Sequence, residues 1–87
     1  MNYMIYGKHK DDKQFGAMNI ASGDVGVGLV FATLIPDEDR AKAYADFLTI
    51  ECPDFTFQVR VAGKSKVVYT AERAPAAMLK FAGANKK

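Results

Sequence analysis

Leu29-Val30-Phe31-Ala32-Thr33-Leu34-Ile35-Pro36-Asp37 is the stretch at which the hydrophobic period of the chain changes. Leu29–Ile35 is apolar except for Thr33 and carries several β-branched residues, the pattern of a strand buried on both faces. Pro36-Asp37-Glu38-Asp39 then opens a segment whose apolar residues, Ala41, Tyr44, Phe47, Leu48 and Cys52, fall close to helical spacing. Beyond Pro53 the period becomes two, with Phe55, Phe57, Val59 and Val61 alternating against Thr56, Gln58 and Arg60. The order this predicts is strands, one central helix, then strands.

The helix is predicted over about residues 37–51. Asp37, Glu38 and Asp39 put acids in its first turn, where they complement the positive end of the helix dipole. Lys42 and Asp46 lie four apart on the solvent side and are set to pair. Pro53 stops the helix, because a proline disfavours helical geometry at the residue before it.

On the N-terminal side, Asn2–Lys8 and Phe15–Ile20 read as a hairpin across the charged turn Lys8–Lys13. Ala21–Gly28 holds Gly23, Gly26 and Gly28 and reads as a loop with left-handed or bulged positions. On the C-terminal side, Asp54–Val61 is a half-buried strand, and Lys66–Thr70 returns antiparallel after the turn Ala62-Gly63-Lys64-Ser65. Pro75, with Met78, Leu79 and Phe81, reads either as a short second helix over about 75–83 packed on the core or as a frayed end.

The expected fold class is α+β, a two-layer sandwich of a mainly antiparallel sheet of four or five strands. Ala41, Tyr44, Phe47 and Leu48 are expected to face the sheet, with Leu29–Ile35 as its central strand. The pair Leu29–Ile35 and Asp54–Val61, linked by the helix, is also open to a right-handed parallel crossover.

The chain has 87 residues, the size of one small domain spanning 1–87. With 49% hydrophobic and 25% charged residues, the composition is that of a globular chain and excludes disorder as the default state. No apolar stretch approaches the ~20 residues needed to span a bilayer. Lys8, Lys10 and Lys13 interrupt any signal-peptide core, and a single cysteine forms no internal disulfide, so a reducing cytoplasm is the expected location. A net charge of +2 permits nucleic-acid binding without arguing for it.

Candidate chemistry is sparse. His9, the one histidine, sits among lysines and reads as a solvated turn residue rather than a general base held against a nucleophile. Cys52 falls at the C-terminal end of the predicted helix beside Glu51 and Asp54, where the field opposes a thiolate, so a small buried hydrophobe is expected. One histidine and one cysteine do not make a zinc site, and neither Asp11-Asp12 nor Asp37-Glu38-Asp39 has calcium-loop spacing. Gly23-Asp24-Val25-Gly26-Val27-Gly28 precedes a predicted strand, whereas a phosphate loop links a strand to a helix. No catalytic residue, metal ligand or cofactor is therefore predicted.

Binding surfaces are the more promising reading. A strand that is apolar on both faces needs cover on both, and one helix covers one; a second subunit or the C-terminal segment must close the other. Tyr6, Arg60 and Tyr69 are the candidate anchors for a protein partner or a homodimer on the uncovered sheet face, since Tyr and Arg dominate interface energetics. The alternative is a nucleic-acid binder that sets Arg60, Lys64 and Lys66 on phosphates.

Four segments, Tyr6-Gly7-Lys8, Phe15-Gly16-Ala17-Met18, Leu29–Leu34 and Phe55–Arg60, resemble small accessory proteins of Gram-positive phages and conjugative elements. The resemblance covers about residues 3 to 61 and implies an accessory role, of anti-defence or replication-support type, with no active site to carry over. Inhibitors that imitate DNA do so with strongly acidic surfaces, which a chain of charge +2 does not have.

Overall fold

The computed structural model describes residues 1–64 and 66–71. Its elements in chain order are β1 (Tyr3–His9), β2 (Gly16–Asn19), β3 (Asp24–Val25), a single 3-10 turn (Leu29–Phe31), α1 (Glu38–Glu51), β4 (Phe55–Val61) and β5 (Val67–Ala71). All strand pairs are antiparallel in one five-stranded sheet of order β3-β2-β1-β4-β5, with α1 packed on one face. This is the expected α+β sandwich. The helix expected over about 75–83, with Pro75, Met78, Leu79 and Phe81, lies outside the described residues, as does Ser65.

The centre of the sheet is β1 beside β4, paired along their full length from Tyr3↔Val61 to His9↔Phe55. Period-two alternation therefore sorts their side chains. Ile5, Phe57 and Val59 point to the helix, joined by Met18 from β2 and Ala71 from β5, and make the main core with Ile35, Ala41 and Ala45. Met4, Tyr6, Lys8, Thr56, Gln58 and Arg60 fall on the opposite face.

Leu29–Ile35 is not a strand, and no parallel crossover exists. The segment leaves β3, makes the 3-10 turn and crosses to the start of α1. Only Ile35 joins the sheet, exchanging two backbone hydrogen bonds of 2.8 Å with Tyr3. Ala32 is its other buried side chain, packed with Met4 and Ala17 in a small second cluster on the face away from the helix. Thr33 ties the segment down: its Oγ1 accepts from the Ile20 N–H at 2.8 Å and its own N–H donates to the Met18 carbonyl at 3.1 Å. The central place is taken because β1 and β4 pair directly with each other, and among the described residues the one helix covers a single face of the sheet.

The expected loop Ala21–Gly28 supplies β3, paired Met18↔Val25 and Asn19↔Asp24, with Gly23 and Gly26 at positive φ of 78° and 84° on either side. Helix α1 is capped by Asp37, whose Oδ1 accepts from the Asp39 N–H at 2.9 Å. Its buried face is Ala41, Ala45 and Thr49, flanked by the partly buried Leu48 and Cys52. Tyr44 and Phe47, expected against the sheet, are exposed. Small residues at i, i+4 and i+8 let the helix backbone approach Phe57 and Val59 closely, whereas two aromatic rings beneath it would hold it off.

Candidate functional site

Arg60 is the focus of the sheet face that α1 leaves open. Its guanidinium carbon lies 4.1 Å from the centre of the Tyr6 ring, a stacked cation–π contact. Nε and Nη2 both donate to Gln58 Oε1, at 3.1 and 2.8 Å, so the guanidinium is fixed from two directions. Phe15, from the chain just before β2, brings its ring to 5.6 Å from the same carbon, and Lys8 Nζ lies 6.0 Å from the Phe15 ring. Among the described residues no carboxylate pairs with Arg60, and no acid occupies any of the positions Met4, Tyr6, Lys8, Thr56, Gln58, Arg60 or Thr70 on this face.

Tyr6 and Arg60 are thus brought together, while Tyr69 is placed on the other face. The cause is a β-bulge. Val59 pairs with Tyr69 but Arg60 pairs with Val67, which leaves Val68 as the extra residue on β5. Tyr69 therefore follows Val59 toward the helix, where its hydroxyl donates to Asp46 Oδ1 at 2.6 Å. That hydrogen bond, then burial, then the Asp46 charge raise the Tyr69 pKa above the usual phenol value. Lys42 Nζ lies 5.7 Å from the Tyr69 ring and pairs with Glu38 at 2.9 Å.

The predicted Lys42–Asp46 pair does not form, because each has another partner. Glu38 precedes Lys42 by four residues, the better orientation for a helical pair, and the Lys42 hydrogen bond lowers the Glu38 pKa while raising that of Lys42. Tyr69 is a clamp between β5 and α1. Lys64 and Lys66 are exposed on the connection between β4 and β5, directly beyond Arg60.

His9 is the last residue of β1 rather than a free turn residue. Its ring meets Phe55 edge-on at 5.1 Å, and its Nδ1 accepts from the Asp11 N–H at 3.1 Å. Asp11 Oδ2 lies 3.6 Å from the same nitrogen. Cys52 is half-buried at the end of α1, with its N–H on the Leu48 carbonyl at 2.8 Å. Among the described residues no three His, Cys, Asp or Glu side chains gather as a metal site, and no helix is long and apolar enough to cross a membrane.

A second surface was not foreseen. Leu29, Val30 and Phe31 are 61%, 86% and 67% exposed, and Leu34, Tyr44, Phe47 and Ile50 are exposed with them. Leu34 and Pro36 meet Arg40 and Tyr44 around one shallow depression, while the Leu29–Phe31 turn packs beside β2 and not against α1. Tyr44 and Phe47 at helical spacing beside Ala43 and Ile50 carried the signal in the sequence, but the same spacing serves a buried face equally well. No protein-family model matches the chain, and no curated protein or solved structure matches it.

Proposed function

We propose that this protein is a non-enzymatic binding module that works through protein–protein contact at the exposed apolar residues of its 29–34 loop, with those of helix α1 beyond it. The observation that carries the reading is the exposure of Leu29, Val30 and Phe31 together on one turn, with Leu34, Tyr44 and Phe47 also exposed. Scattered apolar residues are ordinary on a protein surface, but three consecutive large ones exposed on a single turn of a domain this small are the mark of an interaction site. The contact surface thereby moves from the sheet face expected from the sequence to the loop and helix. Asn19 Nδ2 donates to the Phe31 carbonyl at 2.7 Å, which holds the exposed turn in one shape and lowers the ordering cost of docking. A second copy of the chain is the first partner to test. A cytoplasmic accessory role for a mobile genetic element belongs to this reading and rests on the sequence resemblance.

Light scattering across a concentration series, combined with affinity purification of partners, tests the reading on the intact chain and on a Val30→Ser/Phe47→Ser variant. Self-association or retention of a defined partner by the parent, lost in an equally folded variant, is the expected outcome. Identical behaviour of the two proteins would refute it.

A further inference from the structure

We propose that the sheet face opposite α1 is a second, separate binding surface, for single-stranded nucleic acid. Alternation along β1 and β4 collects Lys8 and Arg60 on this face, and the β4–β5 connection adds exposed Lys64 and Lys66. Lys8 lies opposite Thr56, four residues along β4 from Arg60, so the two cations stand about 13 Å apart along the strand at ~3.3 Å per residue. The result is a stripe of positive charge along β1 and β4 and off their end, with no acid at the face positions of β1, β4 and β5 to oppose a phosphate chain; Asp24, opposite Asn19, is the acid on this face and lies out on the β3 edge.

Aromatic rings are interleaved with the cations. Phe15 sits within 5.6 Å of Arg60 and 6.0 Å of Lys8, and Tyr6 carries the Arg60 guanidinium on its ring. Gln58 takes two of the guanidinium's donors, and Nη1 has no acceptor among the described residues. That leaves a pre-oriented donor edge for a phosphate beside a ring on which a base can stack, the pairing that single-strand platforms use. A duplex keeps its bases stacked on each other and offers no ring face to Phe15. An acidic protein segment would use the cations but not the aromatic spacing between them.

The test is fluorescence anisotropy of a fluorescein-labelled 20-mer of thymidylate titrated with the full chain, beside a labelled 20-base-pair duplex and a labelled Glu-rich peptide. Engagement of four phosphates predicts a salt slope near −2.8, hence about 50-fold weaker binding at 200 mM than at 50 mM salt. Arg60→Ala and Phe15→Ala should each weaken single-strand binding about tenfold, with unchanged circular dichroism. Lys64→Ala/Lys66→Ala, remote from the packed rings, should flatten the salt slope by about 1.4. No binding at 100 μM protein in 50 mM salt would overturn the proposal. So would equal affinity for the duplex or the peptide, or single-strand binding unaffected by both Arg60→Ala and Phe15→Ala.

Discussion

Leu29–Ile35 and Phe55–Val61 are two seven-residue runs, the first the more apolar, that end in opposite environments. Phe57, Val59 and Val61 are buried in β4, while Leu29, Val30, Phe31 and Leu34 face solvent. The difference lies in what each run asks of its neighbours. In Phe55–Val61 the apolar side chains alternate with Thr56, Gln58 and Arg60, so one helix on one face satisfies the strand and the other face stays wet. Leu29–Ile35 has no polar face, and among the described residues the one helix covers a single sheet face. The fold pins it at Ala32, Thr33 and Ile35 and leaves the rest as surface. Hydrophobicity marks a segment as wanting cover; the period determines whether the domain can supply that cover itself.

The sharpest way to break this comparison is to delete one aromatic ring from each run. Phe57 is 1% exposed at the centre of the core, and Phe57→Ala should cost about 3–5 kcal/mol in urea unfolding. A domain of this size holds roughly 4–13 kcal/mol in total, so the variant should be near the edge of unfolding. Phe31→Ala should change stability by less than about 0.5 kcal/mol, as surface substitutions do. Comparable losses in the two variants would mean that the 29–34 loop is part of the core.

How much of this was legible depends on which interactions are local. Helix α1, its Asp37 start and its end before Pro53 were readable because capping and proline effects act within a few residues. The alternation of β4, which sets Arg60 on the face away from Phe57 and Val59, was readable for the same reason; its place beside Tyr6 needs the β1–β4 pairing as well. The direction of the helix face was not. Ala41 and Leu48 do face the core as expected, but Ala45 and Thr49 in place of Tyr44 and Phe47 is a choice between close approach and larger burial, and it is settled by Phe57 and Val59 on another element. Tyr69 was misplaced because a bulge at Val68 shifts the phase of β5 without leaving a mark such as glycine in the sequence. Phe15 was read only as a strand residue, since its approach to Arg60 requires the β1–β2 and β1–β4 pairings together. The resemblance to phage accessory proteins drew on Leu29–Leu34 as one of its segments, and that segment is a loop here.

Two glycines sharpen the contrast between the packed sheet and the exposed 29–34 connection. A Cβ on Gly16 would stand 2.7 Å from the Gly26 Cα and 2.8 Å from its nitrogen, backbone that is itself bonded to the Ala17 carbonyl. Gly16→Ala should therefore cost about 1–3 kcal/mol through overpacking, read as a lower urea midpoint with unchanged slope. Gly28 has φ of −60°, and its added Cβ would meet only Phe31, at 3.6 Å. Gly28→Ala should be neutral or stabilising by up to about 1 kcal/mol, because it narrows the unfolded chain's freedom without strain. A larger penalty at Gly28 than at Gly16 would reverse the assignment of which region is packed.

The smallest effect concerns the clamp that closes the helix-side face but has no counterpart on the open one. Tyr69 donates to Asp46 across the seam between β5 and α1, and Tyr69→Phe removes that hydrogen bond while keeping the ring. The pair is partly solvated, so the expected cost at pH 7 is about 1 kcal/mol rather than the larger figure for a buried charged bond. A melting point lower by roughly 4–8 °C would register it. The pH dependence separates the hydroxyl from mere packing. Asp46 and burial raise the Tyr69 pKa above 10.0, so the folded state holds this proton more tightly than the unfolded chain. Its contribution is complete below about pH 10 and is lost as pH rises through the folded value. The stability gap between parent and Tyr69→Phe should accordingly be constant from pH 6 to 9 and close above pH 10. A gap that persists at pH 11 would show that the ring, and not its bond to Asp46, joins β5 to the helix.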